Sequence, residues 1–146
     1  MLNMKTLLDF FKSWFKKKEK KKSVPPRELT SDCVRLLKIE LDTILLSKQT
    51  PYNHKSIKAQ RYRINKAYAM VYNAYFAKIN NAESLMVKEI FTIMDEQPDW
   101  SLTKMVTHLE ATGKLVYARE TVNRQMAILK KFKVAMDEER RRYNNL

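Results

Sequence analysis

Glycine is almost absent from the sequence, and this shortage excludes several classes of protein. Gly113 is the only glycine among 146 residues, whereas glycine-rich phosphate-binding loops and dinucleotide-binding turns need several. Sheet proteins of this length also use glycine in hairpin turns and bulges. The composition therefore predicts an all-helical protein and argues against the common nucleotide-dependent enzymes.

Cysteine and histidine are too scarce for a disulfide framework or a typical zinc site. Cys33 has no partner for a disulfide within the chain, which favours a reducing compartment. His54 and His108 are far apart in the sequence, and a structural zinc site needs about four ligands. No nucleophile stands beside a base in a triad-like pattern. We therefore expect a non-enzymatic protein with no metal, no cofactor and no small-molecule substrate.

Long hydrophobic runs are also missing. The longest uncharged apolar stretch, residues 67–77, is far shorter than the roughly 20 residues that cross a bilayer. The N-terminal lysines follow the apolar residues, and no small-residue cleavage site is present, so this segment does not resemble a secretory signal. We expect a cytoplasmic protein that is not secreted. A nucleoid-associated or peripheral membrane location stays open.

Positive charge is abundant and is arranged in blocks. The chain has 29 lysine and arginine residues against 16 aspartate and glutamate residues, a formal net charge of +13. Residues 1–22, 52–80 and 113–146 carry +6, +6 and +5, whereas residues 23–51 are neutral and residues 81–112 carry −4. Such an excess attracts phosphate-bearing partners, either nucleic acid or an anionic membrane surface.

Residues 1–22 have the pattern of an amphipathic basic helix. Their apolar face and adjacent lysines suit an anionic membrane surface, and they suit equally a groove on a protein partner or a second copy. Packing against the chain's own core is a third interpretation. A proline linker, residues 23–28, follows. The candidate membrane or partner contacts are Leu7, Leu8, Phe11, Trp14, Phe15, Lys16, Lys17 and Lys18.

Residues 29–80 are predicted to form two helices with a basic face. The first runs from about Ser31 to Ser47, and either Thr30 or Ser31 can cap it. Apolar residues at three-four spacing predict its buried face: Val34, Leu37, Leu41, Ile44 and Leu45. The second runs from about His54 to Asn80, and its predicted buried residues are Ile57, Ile64, Tyr68, Val71, Tyr75 and Ile79. Bases on its opposite side are candidate nucleic-acid contacts: Lys55, Lys58, Arg63 and Lys66.

Residues 81–136 are predicted to form three further helices. The first, near residues 82–97, has Leu85, Met86, Ile90, Ile93 and Met94 as its inner face. A short second helix is capped by Ser101 and ends before Gly113, which is suited to a left-handed helix end. A long third helix begins near residue 117 or 118. Its predicted inner face comprises Ala118, Val122, Met126, Leu129 and Phe132 or Lys133.

This succession resembles the helix-turn-helix superfamily of DNA-binding domains over residues 82–136. The resemblance is carried by the polar run 119–125 and by Leu102, Val106, Leu109, Gly113 and Val122. The turn is about three residues longer than the tight form of the motif, and no strand pair follows as in a winged member. In that superfamily the third helix enters the major groove. The resemblance implies DNA contacts by Tyr117, Arg119, Glu120, Asn123, Arg124 and Ala127, with Lys130 and Lys131 beside the backbone.

Together these patterns predict an all-α helical bundle. It has an N-terminal amphipathic helix, a helix-turn-helix-like unit over residues 81–136, and a charged tail over residues 137–146. The expected function is non-enzymatic binding of double-stranded DNA by a regulatory or accessory protein of a phage or mobile element. The alternative is a structural or adaptor protein of a virion or membrane-associated assembly. A homo-oligomer is compatible with either.

Overall fold

The computed structural model describes residues 29–144, and this part of the chain folds into five helices with no strand. They are α1 (Asp32–Ser47), α2 (His54–Tyr75), α3 (Ala82–Glu96), α4 (Leu102–Ala111) and α5 (Arg119–Asn144). The prediction of an all-α protein is confirmed. The predicted amphipathic segment, residues 1–22 with its eight lysines, and the predicted proline linker, residues 23–28, lie outside the described residues. Within the described range, none of the helices combines the length and apolar character needed to cross a bilayer.

Helix α2 is at the centre of the bundle and packs against α1, α3 and α5, whereas α4 packs on α5. Small and unbranched core residues on α2, such as Ala67 and Met70, are fully buried between its neighbours. The ring of Tyr75 stacks on Phe91 of α3 with centroids 5.4 Å apart. Burial raises the pKa of Tyr75 to about 12, because the ionised phenolate is disfavoured away from water. Tyr75 and Tyr68, the tyrosines predicted on the apolar side of α2, are thus half-buried, with their rings against Phe91 and Phe132 of the core.

Helix α5 buries one continuous stripe along its length. The stripe comprises Val122, Met126, Leu129, Phe132 and Met136, whose spacing is that of one helix face. Lys133 is also turned inward, and its Nζ lies 2.6 Å from Asp95 Oδ1 of α3 and 2.5 Å from Asp137 Oδ2. Burial acts to lower the pKa of Lys133, but hydrogen bonds to Asp137 and Asp95 outweigh it and raise that pKa. Phe132 and Lys133 were alternatives for the last inner position of this helix, and both are buried.

The ends of α4 follow the local sequence signals. The Ser101 hydroxyl accepts a hydrogen bond from the Lys104 backbone N–H at 3.1 Å, as expected for an N-cap. Gly113 has a φ of 70°, and its N–H donates to the Glu110 carbonyl while the next N–H, of Lys114, donates to Leu109. This is the Schellman arrangement, in which a left-handed residue lets two N–H groups return to the last helical turn. The predicted roles of Ser101 and Gly113 are confirmed.

The predicted end of α2 at Asn80 is wrong, because the helix ends at Tyr75. Lys78 has a φ of 54°, in the left-handed region, and the Ile79 N–H donates back to the Asn73 carbonyl at 2.8 Å. This turn lets α3 fold back against α2, and the Asn81 side chain caps α3 by accepting from the Ser84 N–H.

Four residues predicted to be buried are exposed, and each has a local reason. Ile79 lies beyond the end of α2, and Ala118 precedes α5 instead of lying within it. Leu85, 59% exposed, is on the outer side of α3. Ile44 borders a shallow groove between α1 and α5 instead of packing beneath a neighbour. At the start of α1, Ser31 occupies the cap position but makes no side-chain capping hydrogen bond.

Candidate nucleic-acid interface

A groove of about 380 Å³ lies where the end of α1 meets α2 and α5, and its edges are basic. We call it the basic groove. Four cationic side chains line it: Lys48, Arg63, Arg124 and Lys131. The remaining lining is Gln60 and a set of apolar residues, namely Leu41, Ile44, Leu45, Ile64 and Ile128.

Helical spacing explains why these residues share one groove. On α5, Arg124, Ile128 and Lys131 follow one another at intervals of four and three residues, so they form a row on one face. Leu41, Leu45 and Lys48 repeat the same intervals at the end of α1. Each helix therefore contributes apolar residues that pack and a base at the edge of the packed surface.

The described part of the chain does not neutralise the charge of the basic groove. None of the described residues that line the groove is a carboxylate. Within residues 29–144, the side chains of Lys48, Arg63, Arg124 and Lys131 take part in none of the ion pairs and side-chain hydrogen bonds. Like charges gathered over an apolar surface raise the local concentration of anions. The positive potential of the groove therefore favours a phosphate-bearing ligand.

The acidic block, residues 81–112, accounts for this imbalance. Four of its six acidic residues form ion pairs with bases from other segments: Glu83 with Lys66, Glu89 with Lys114, Asp95 with Lys133, and Glu110 with Arg119. These pairs connect α3 and α4 to the rest of the bundle. These carboxylates therefore pair with lysines and arginines outside the groove. The bases of the groove remain without counterions in the described part of the chain.

On α5, most of the predicted DNA contacts lie on one exposed side. Glu120, Arg124, Ala127 and Lys131 form a row, Lys130 is exposed beside them, and Asn123 is half-buried. This side does not stand free. Together with this side of α5, a shallow groove of about 610 Å³ is lined by Leu37, Leu41 and Ile44 of α1 and by Leu102 of α4. The first two turns of α5, with Glu120 and Asn123, extend beyond the residues that line this groove.

Arg119 is engaged within the protein. One guanidinium nitrogen, Nη1, lies 2.8 Å from Glu110 Oε1, and Nη2 lies 2.6 Å from Thr107 Oγ1. Both acceptors belong to α4, so the side chain ties the start of α5 to the preceding helix. Its planar fork suits two acceptors at once. Arg119 is therefore committed to an internal contact that competes with any contact to DNA.

Lys66 and Tyr117 are likewise joined to a third residue, Glu83. Lys66 Nζ lies 2.9 Å from Glu83 Oε2, the Tyr117 hydroxyl donates to the same oxygen, and Lys66 Nζ is 5.1 Å from the centre of the Tyr117 ring. Hydrogen bonding with Tyr117 and Glu83 raises the pKa of Lys66. Desolvation acts to raise the pKa of Glu83, yet the hydrogen bonds from Tyr117 and Lys66 lower it overall. Desolvation and then the carboxylate of Glu83 raise the pKa of Tyr117.

Of the other predicted bases of α2, Lys55 and Lys58 are exposed and Arg63 is half-buried. Lys55 and Lys58 lie in the first half of the helix, outside the basic groove, whereas Arg63 lies in it. Sequence reasoning missed Lys48 and Gln60 as lining residues. A signal for Lys48 was present, since it follows Leu41 by seven residues and so continues the buried face of α1.

No protein-family model matches the chain, and neither a curated protein nor a solved structure shows significant similarity to it. The resemblance of residues 82–136 to the helix-turn-helix superfamily therefore stays a prediction. Within residues 29–144, no three histidine, cysteine or acidic side chains converge where a metal ion could bind.

Proposed function

We propose that this protein binds double-stranded DNA without catalysing a reaction, and that the basic groove holds the DNA backbone. One observation carries the proposal. Three helices bring four cationic side chains to a groove that no carboxylate of residues 29–144 lines, while nearby acids are paired with other bases. In nucleic-acid-binding proteins such clusters bind backbone phosphates. Binding is favoured because the neutralised phosphates release their condensed counterions.

The side chains of the groove suit phosphate recognition in different ways. Arg63 and Arg124 present planar guanidinium groups that can hold two phosphate oxygens at once, and Lys48 and Lys131 act as point charges. Contacts of this kind supply affinity and fix orientation but carry no sequence information. We assign base contacts to Glu120 and Asn123, because these two residues line neither of the grooves between α1 and α5, whereas Arg124 lines the basic groove.

The salt dependence of DNA binding tests the proposal. Fluorescence anisotropy with a duplex oligonucleotide is measured for the full chain and for the variant R63Q/R124Q/K131Q over a series of salt concentrations. Each phosphate contact contributes about 0.9 to the slope of log K against log salt, so the variant should lose about 2.7 from that slope. Raising the salt concentration from 50 to 200 mM should therefore weaken DNA binding by the wild type roughly 40-fold more than DNA binding by the variant.

A matched variant separates the groove from bulk charge. K78Q/K88Q/K104Q removes the same three positive charges from sites outside the groove, and its slope should remain close to that of the wild type. Equal slopes for the two variants would show that binding follows net charge alone and would refute the assignment to the groove. Absence of duplex binding by the wild type at 50 mM salt would refute the proposed function itself.

A further inference from the structure

Large apolar side chains are exposed along α1 and α5, on the shallow groove between these helices. Leu36 is 56% exposed, Ile44 46% and Val134 47%. Together with Ala127 they line connected parts of the surface between α1 and α5, and we call these four residues the α1–α5 strip. Exposed apolar side chains that adjoin one another mark interaction surfaces more often than single exposed ones do.

Two side chains of opposite charge lie at equal distances from Val134 along α5. Lys130 precedes it by four residues and Glu138 follows it by four, so all three lie on the same side of α5. Lys130 and Glu138 are exposed, and neither forms an ion pair with another residue in the range 29–144. Along α5 the surface is therefore basic on one side of Val134 and acidic on the other, and Lys131 of α5 and Glu40 of α1 line the same groove.

We infer that the α1–α5 strip binds a second copy of this chain, with the two α5 helices antiparallel and Val134 on a twofold axis. A twofold rotation places Lys130 opposite Glu138 of the second copy and Glu138 opposite its Lys130. Packed helices lie about 8–10 Å apart, which the long Lys and Glu side chains can span. An antiparallel second copy brings each charge opposite a charge of the other sign. A second copy therefore fits this surface better than a partner of uniform charge.

The dimer has a consequence for DNA binding, and this consequence rests on the proposed function. Arg124 is ten residues from Val134 along α5, which corresponds to about 15 Å. Measured along the helices, the two Arg124 residues of the dimer are then about 30 Å apart, close to the roughly 34 Å of one DNA turn. The dimer would offer two basic grooves at a spacing that suits successive turns of one duplex.

Sedimentation equilibrium of the full chain tests the dimer. K130E and E138K each place like charges across the axis, and each should weaken dimerisation about tenfold. The double variant K130E/E138K restores opposite charges and should return the dissociation constant to within about threefold of the wild type. V134E should give a monomer, whereas L85E, the same change at another exposed apolar residue, should not.

A disulfide experiment tests the antiparallel orientation of the two α5 helices. Failure of the dimer inference can be distinguished from failure of DNA binding. In a C33S background, V134C should form a disulfide between two copies on oxidation, since both thiols lie at the axis. A wild type that stays monomeric, or a dimer insensitive to V134E, K130E and E138K, would overturn the inference, the second result pointing to another surface such as residues 1–22. A monomeric V134E that keeps the wild-type salt slope for a short duplex would leave the DNA proposal standing.

Discussion

Neutralising Asp95 and Asp137 together is expected to destabilise the protein more than replacing Lys133, the lysine that they share. Lys133 has only 11% of its side chain exposed, whereas Asp95 is 68% exposed and Asp137 41%. In K133M an apolar side chain of similar length fills the buried site, and both carboxylates can turn to water. In D95N/D137N the ammonium group stays partly buried and faces only neutral amides.

The exposures set the expected magnitudes. Ion pairs with exposed carboxylates contribute little, so K133M should lower the free energy of unfolding by about 0–1 kcal/mol. Leaving the partly buried ammonium without a charged partner should cost about 1–3 kcal/mol in D95N/D137N. Asparagine and aspartate have nearly equal helix propensities, so the comparison isolates charge.

Urea unfolding followed by circular dichroism at pH 7 measures the difference. With a slope near 2 kcal/mol/M, a loss of 1.5 kcal/mol lowers the midpoint by about 0.75 M. Asp137 also pairs with Arg140 at 3.0 Å, and R140Q gives the size of that contribution, which is subtracted. If K133M proves less stable than D95N/D137N after this correction, the argument that burial of the lysine dominates is wrong.

Two further predictions concern the turn after α4 and the cluster around Glu83. G113A should lose about 1–2 kcal/mol of unfolding free energy through its left-handed φ alone, because no atom lies within 4 Å of an added Cβ. G113N should lose less, and an equal loss in both variants would show that the backbone conformation is not the cause. Since the pKa of Glu83 is lowered in the folded state, its stabilisation is present above the ordinary glutamate pKa of about 4.3 and is lost as pH falls through the folded value. The difference in urea midpoint between wild type and E83Q should therefore shrink from pH 7 to pH 3, and a constant difference would contradict the assigned role.

The elements predictable from sequence were those whose signals are local. The N-cap at Ser101 and the left-handed end at Gly113 depend on residues within one turn of each other, and both were predicted correctly. The end of α2 was not, because residues 52–80 contain neither glycine nor proline. The chain leaves the helix through a left-handed lysine, Lys78, and packing of α3 against α2 holds it in that conformation. Tertiary packing here outweighs local propensity.

The candidate site was predictable only one helix at a time. The spacing of Arg124 and Lys131 placed them on one side of α5, and the bases of α2 were recognised as a group. Their meeting with Lys48 at one groove depends on how three helices pack, which periodicity does not contain. The engagement of Arg119 by Glu110 was likewise hidden, because charge counting along the chain does not reveal which acid pairs with which base.

Helix α1 has fewer fully buried residues than any other described helix, since within residues 29–144 only its Val34 is fully buried. A helix with so little buried apolar surface opens at a lower free energy than the whole domain, and its amides exchange with solvent through that local opening. Because α1 supplies Lys48 and several apolar residues of the basic groove, its detachment dismantles the groove while the rest of the bundle stays folded. An anion held between Lys48 and the α5 bases would close this opening by mass action. Ligand binding and the local opening of α1 would then be linked equilibria, so that ligand raises the free energy of opening.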